Sequence, residues 1–210
     1  MVNYYNDNDP ACSAWVKELI RAELIPAGEV DCRSITEVTA DEVKGFDQCH
    51  FFAGIAGWSY ALQLADWPAD RPVWLGSCPC QPFSAAGKQA GAADSRDLWP
   101  HFARLISESK PGVVFGEQVA GAVGFGWWDR VCADLEAVSY RCGAVVLSAA
   151  GVGAPHIRQR LYWVADAKGT EQQGTFAEER RLAQHCGVSG LADSGGERIR
   201  TAGYGQDAAT

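Results

Sequence analysis

Long apolar runs are missing from this chain, which excludes a helical membrane span on its sequence. A basic stretch followed by an apolar one is also missing from the start, MVNYYNDNDP, so no secretory signal is visible and the expected address is the cytoplasm. Positive charge is in short supply: 18 Lys and Arg against 26 Asp and Glu leave a net charge of −8. A chain this acidic does not hold a polyanion by its overall field, and any contact with nucleic acid has to come from a local basic cleft. A second closely spaced cysteine pair is absent too. Cys78-x-Cys80, Cys49-His50 and His101 invite a zinc reading, but without that second pair no metal site is expected. The eight cysteines, in a chain of 210 residues with no export signal, read as reduced thiols.

What is present is a globular composition, with 47% hydrophobic and 21% charged residues. Asp9 and Pro10 are suited to cap and open a helix in which Cys12, Trp15, Val16, Leu19 and Ile20 share one face. The stretch EVDCRSITEV, rich in β-branched residues, predicts a strand. Further strands are predicted at Gln48 to Phe52, Pro72 to Ser77, Gly112 to Val119, Ala144 to Leu147 and Leu161 to Ala165. Helices are predicted at Trp58 to Ala65, Leu98 to Glu108 and Trp128 to Val138. Alternation of this kind implies an α/β fold, a doubly wound and mostly parallel sheet. Residues 167–210 are glycine-rich with few large apolar side chains, and read as a poorly packed tail or linker behind a domain of residues 1–166.

In such sheets ligands bind where loops leave the carboxyl ends of the strands. Three loops there are unusual. Phe52-Ala53-Gly54-Ile55-Ala56-Gly57 has small residues that let backbone approach a ligand, although a tight turn needs the same residues. In Gly76-Ser77-Cys78-Pro79-Cys80-Gln81-Pro82-Phe83-Ser84, two prolines hold a thiol at a fixed orientation. Gly116-Glu117-Gln118-Val119 places a carboxylate at the end of an apolar strand, where burial would keep it protonated.

Together with APHIRQRLYW these loops resemble the DNA cytosine-5 methyltransferase family. FAGIAG resembles its F-x-G-x-G-G, GSCPCQPFS its G-S-P-P-C-Q-P-F-S, and Asp94-Ser95-Arg96-Asp97-Leu98-Trp99 its D-x-R-G-x-L-F. GEQV stands at its E-N-V, and LSAAGVGAPHIRQR at its L-N-A-x-x-Y-G-V-P-Q-x-R-x-R. The blocks keep the family's order across residues 50–165. Ala56 replaces a glycine, Cys78 a proline, Gln118 an asparagine and His156 a glutamine, and His50 stands where an acidic residue is usual. Asp7-Asn8-Asp9-Pro10 resembles the family's E-x-D-P, and Gly28-Glu29-Val30-Asp31 its next aspartate block. Both precede the glycine loop here instead of following it, so residues 1–47 look like a permuted cofactor-binding part before a catalytic core at 48–166, as in phage and prophage members.

The resemblance implies a Rossmann-like fold dependent on S-adenosyl-L-methionine, with S-adenosyl-L-homocysteine as product. It implies Cys80 as nucleophile, Glu117 as proton donor to the base, Arg160 as the cation at the base's O2, and Arg158 as the cation on the Cys80 and phosphate side of the pocket. Cofactor contacts are implied for Phe52, Gly54, Gly57, Asp7, Asp31, Pro79 and Leu98, and DNA contacts for Gln81, Ser84 and Lys88. The partner implied is duplex DNA with a flipped cytosine. The family's target-recognition region is not evident in residues 166–210, so a further segment or a partner is expected to supply it, and the isolated chain is expected to act weakly. Three rivals remain: a catalytically incomplete cofactor-binding module, an RNA cytosine-5 methyltransferase, and a cysteine hydrolase using Cys80 with His101 or His156.

Overall fold

A computed structural model describes residues 2–79 and 97–167. The chain divides into one unit at Met1–Thr170 and a second at Glu171–Thr210, the latter wholly outside the described residues. The elements run β1 (Asn3–Asn6), α1 (Pro10–Arg21), β2 (Gly28–Asp31), α2 (Ala40–Val43), β3 (Gln48–Phe51), α3 (Gly57–Leu64) and β4 (Val73–Gly76). They continue with α4 (Trp99–Ser109), β5 (Val113–Val119), α5 (Trp127–Ala137), β6 (Tyr140–Ser148) and β7 (Gln159–Ala167). Short 3₁₀ turns at Ala120–Phe125 and Ala149–Val152 link the last elements. Among the described residues, no helix is long and apolar enough to cross a membrane.

The seven strands form one sheet in the order β2-β1-β3-β4-β5-β7-β6. The first five strands pair in parallel, while β7 is antiparallel to both β5 and β6. The reversal has a local cause. No helix separates β6 from β7; the link closes on itself where the Ala149 amide donates to the Ile157 carbonyl (2.8 Å), so β7 returns as a hairpin. The two strands that come first in the chain lie outside β3, on the opposite side from β4. The order therefore reverses between β1 and β3, and the loops that follow these two strands leave from adjacent carboxyl ends, with the loop after β4 next in line.

α1 begins as the sequence indicates: the Asp9 carboxylate accepts from the Ala11 amide (2.8 Å) and Pro10 takes the first turn. Val16 faces the sheet, but Trp15, assigned to the same face, is half exposed. EVDCRSITEV is only in part a strand, since β2 stops at Asp31. The Asp31 carboxylate accepts from the Arg33 amide, and Glu37 from the Ser34 amide, so local side-chain acceptors bend the chain away from the sheet. The β-branched Ile35 and Val38 are buried in that turn rather than in a ladder. One face of the sheet packs on α4 and α5 through Phe51, Trp74, Phe102, Leu105, Val131 and Trp163. The other packs on α1 and α3 in two smaller clusters, one around Tyr5 and Val16 and one around Leu62, Val73 and Leu75.

Candidate active site at the carboxyl ends of β3, β4 and β5

β3 delivers the chain into the glycine loop. Phe52, Gly54 and Ala56 all have left-handed backbone, with φ of 54°, 51° and 60°. Phe52 packs edge-on to Phe102, with ring centroids 6.2 Å apart. Gly54 donates its amide to Asp7 Oδ2 (2.8 Å), and the other Asp7 oxygen accepts from the Asp9 amide (2.9 Å). Asp7 thus ties the end of β1 to the loop after β3. Side-chain space above the loop is open: a Cβ on Gly57 would meet nothing within 4 Å, and one on Gly54 only the Phe52 carbonyl at 3.9 Å.

Asp31, at the end of β2, lies behind this loop and is almost fully occupied. Its carboxylate accepts from the Tyr4 hydroxyl (2.7 Å) and from the Arg33 amide and guanidinium. Burial pushes its pKa up, but the Arg33 donors, the Tyr4 hydroxyl and the Arg33 charge outweigh that and hold it below the usual carboxylate range. The structure therefore brings Asp7 to the glycine loop and gives Asp31 a set of protein partners.

β4 leads into the cysteine loop, whose entry is gripped by three elements. Gly76 lies against Phe102 of α4, so closely that a Cβ there would stand 2.3 Å from the ring. Trp58 of α3 donates its indole N–H to Ser77 Oγ (3.0 Å). Gln118 of β5 donates its amide to the Cys78 carbonyl (3.2 Å). Cys78 is buried, and burial followed by the Asp97 charge pushes its thiol up, away from the thiolate form. Pro79 is exposed at the end of the described stretch. Cys80, Gln81, Ser84 and Lys88 lie outside the described residues. The chain is held again at Asp97, which pairs with Arg130 (2.5 Å) and accepts from the Trp99 amide (3.2 Å), while Leu98 packs against the main core.

β5 carries Glu117 next to this entry. Its Oε1 lies 2.8 Å from Arg160 Nε on β7, and the two side chains are about one quarter exposed. The antiparallel register makes the pair: Glu117 faces Tyr162 and Val119 faces Arg160, so alternate residues of the two strands share a face. Burial raises the Glu117 pKa more than the Arg160 and Arg158 charges and the Arg160 hydrogen bond lower it. Arg158 is exposed, at a left-handed φ of 29°. The arrangement can hold a proton on Glu117 and cationic charge beside it.

Cys49 and His50 cannot share a metal ion, because successive residues of β3 point to opposite faces. Cys49 enters the main core, whereas His50 stacks on Tyr5 (4.8 Å, 13°) without a hydrogen bond to either ring nitrogen. Burial pushes its pKa down to about 3, so it is neutral.

The family model of the C-5 cytosine-specific DNA methylases matches residues 62–189, more than half of the chain. The chain belongs to this family. It is 37% identical over 95 residues to the type II methyltransferase M.AplI of Arthrospira platensis, a match covering 44% of this chain and 28% of that one. It is 35% identical over 99 residues to M.HhaI of Haemophilus parahaemolyticus, covering 45% and 30%. These matches thus span less than a third of the length of either relative. A DNMT2 variant from Spodoptera frugiperda has a similar fold, with a TM-score of 0.54 at 18% identity over 81% of this chain and 44% of that one. The methyltransferase EhMeth of Entamoeba histolytica does too, with a TM-score of 0.52 at 15% identity over 82% and 55%.

Sequence reasoning missed three members of the site. Trp58 and Ser77 carry no signal in a single sequence. Gln118 carried one, as a departure from the family's E-N-V, but its contact with a residue 40 positions away is legible only in the folded chain.

Proposed function

We propose that the protein transfers a methyl group from S-adenosyl-L-methionine to carbon 5 of cytosine in duplex DNA, through a covalent intermediate on Cys80. The observation that carries this reading is Glu117 on β5, the strand beside the one that leads to Pro79-Cys80: a half-buried carboxyl with a raised pKa, paired with Arg160 of β7. Membership of the cytosine-5 methylase family supports it.

Carbon 5 of cytosine is a weak nucleophile. Addition of the Cys80 thiolate to carbon 6 makes it an enamine carbon and sends electrons toward ring nitrogen 3 and the O2 carbonyl. Glu117 gives its proton to nitrogen 3, and Arg160, with Arg158 nearby, stabilises the negative charge as it develops. Carbon 5 takes the methyl and then gives its proton to solvent water as the bond from carbon 6 to sulfur breaks, which returns the thiolate, while nitrogen 3 returns its proton to Glu117. The target base has to leave the helix stack for this, at a cost of about a few kcal/mol.

The residues present fit the cofactor. The space over Gly54 and Gly57, the left-handed loop and the start of α3 suit its amino-acid end, with Phe52, Pro79 and Leu98 as walls. Asp7 can accept from ribose hydroxyls, since a carboxylate takes more than the two backbone donors it has here, whereas Asp31, one strand further out, is already occupied by Tyr4 and Arg33. When bound, S-adenosyl-L-methionine supplies an electrophilic methyl on a sulfonium. The full chain, given the cofactor with a labelled methyl, is expected to label duplex DNA and not RNA, and Glu117→Gln is expected to remove the label. Labelled RNA and unlabelled DNA would move the substrate to RNA; cofactor binding with neither labelled would leave a binding module.

A further inference from the structure

Two departures from the family's motifs touch each other. Cys78 stands where a proline is usual and Gln118 where an asparagine is, and the Gln118 amide donates to the Cys78 carbonyl. We infer that Gln118 is a positioning residue matched to Cys78, and that it fixes the peptide plane that precedes Pro79-Cys80. The inference rests on the reading of Cys80 as nucleophile.

The peptide between Cys78 and Pro79 has no N–H, so its carbonyl is the one polar handle by which it can be held. Gln118 takes that handle with both ends of its amide engaged. Nε2 donates to the Cys78 carbonyl at 3.2 Å, Oε1 accepts from the Val119 amide at 2.9 Å, and the side chain is buried, so neither bond competes with water. Ser77 is held from the other side by Trp58, and Gly76 by Phe102. With φ of Pro79 fixed by its ring, setting the preceding plane sets the backbone of Pro79 as far as its carbonyl carbon, which leaves one dihedral before Cys80. Asparagine at 118 is shorter by one methylene and loses the Cys78 carbonyl. A proline at 78 locks φ there too, so that the carbonyl is set without the longer arm. Gln118 and Cys78 therefore form an exchangeable pair with asparagine and proline.

The test uses the full chain, S-adenosyl-L-methionine and duplex DNA containing 5-fluorocytosine, whose fluorine blocks loss of the substituent from carbon 5 and traps the adduct. Gln118→Met, which keeps the length and apolar stem but removes both hydrogen bonds, is expected to slow adduct formation at Cys80 about tenfold, the factor for loss of the one bond that reaches the Cys78 carbonyl. Cofactor affinity should stay unchanged. Gln118→Asn should behave alike, and Gln118→Asn combined with Cys78→Pro should recover most of the parental rate, which general loosening would not produce. An unchanged rate in Gln118→Met, or a double variant no faster than Gln118→Asn, overturns the inference. A parental chain that forms no adduct overturns the nucleophile reading instead. Iodoacetamide labelling of Cys80 against pH, mapped by peptide mass spectrometry, then still decides the positioning role: a profile shifted in Gln118→Met supports it, an identical profile refutes it.

Discussion

Asp31 and Glu117 are both carboxylates at the ends of sheet strands, both shielded from water and both paired with an arginine, yet their environments push them in opposite directions. Asp31 receives a bidentate guanidinium, a backbone amide and a tyrosine hydroxyl, and is held ionised. Glu117 receives one guanidinium contact, and burial prevails, so that the proton is retained more readily. Donor number, more than the presence of a counter-charge, sets the direction of the two shifts here. The β1–β2 half of the sheet uses its acid to fix a turn. The β5–β7 half leaves its acid with a single side-chain partner.

The sharpest way to break the comparison is Glu117→Gln. Turnover is expected to fall by about 10²- to 10⁴-fold, the range for a lost general acid, while thermal unfolding moves little. A variant that unfolds readily and yet keeps its specific activity would make Glu117 structural. Asp31→Asn should do the reverse, costing about 2 kcal/mol of stability as Arg33 loses its counter-charge and one of the two oxygens that accept from Arg33 and Tyr4 becomes a donor, with the loss read from denaturant midpoints.

The pH dependence sharpens it further. A depressed carboxylate such as Asp31 contributes stability that is present above the ordinary pKa of 3.8 and lost as pH falls through its lowered value. A raised one such as Glu117 does the opposite: its ionisation costs stability above its raised pKa, and protonation removes that cost. His50 adds a separate acid-side loss. Its ordinary pKa is 6.5 and its folded value about 3, so the unfolded chain binds the proton more tightly. Stability should therefore decline below pH 6.5 by up to about 1.4 kcal/mol per pH unit. His50→Phe should flatten the decline of Tm between pH 6.5 and 5; an unchanged decline would assign it elsewhere.

The smallest effect is expected at Ala56, which holds the left-handed backbone of the glycine it replaces. Ala56→Gly should gain about 1 kcal/mol from relieved strain and lose nearly as much by emptying its buried methyl site, so Tm should move by only a few degrees. A large gain would mean that the methyl packs on nothing.

Local chemistry was legible in the sequence. Asp9 and Pro10 cap and open α1, and alternating elements gave the doubly wound sheet, because these depend on neighbouring residues alone. The strand at Asn3–Asn6 was not foreseen, and the places of β1 and β2 outside β3 came only from the folded chain. The antiparallel β7 did too, because it depends on the missing helix between β6 and β7, which strand lists do not register. CRSITEV misled because Ile35 and Val38 are buried in a turn as well as they would be in a strand. Pairings such as Asp31 with Tyr4 and Gln118 with Cys78 stayed hidden, since nothing in a single sequence links positions that meet only across the folded sheet.

The central claim is that Cys80 attacks cytosine. The measurement is peptide mapping of the full chain after reaction with S-adenosyl-L-methionine and duplex DNA carrying 5-fluorocytosine. The account predicts one covalent adduct on the peptide containing Cys80, abolished by Cys80→Ser and untouched by Cys78→Ser. An adduct that persists in Cys80→Ser, or that maps to Cys78, would contradict it.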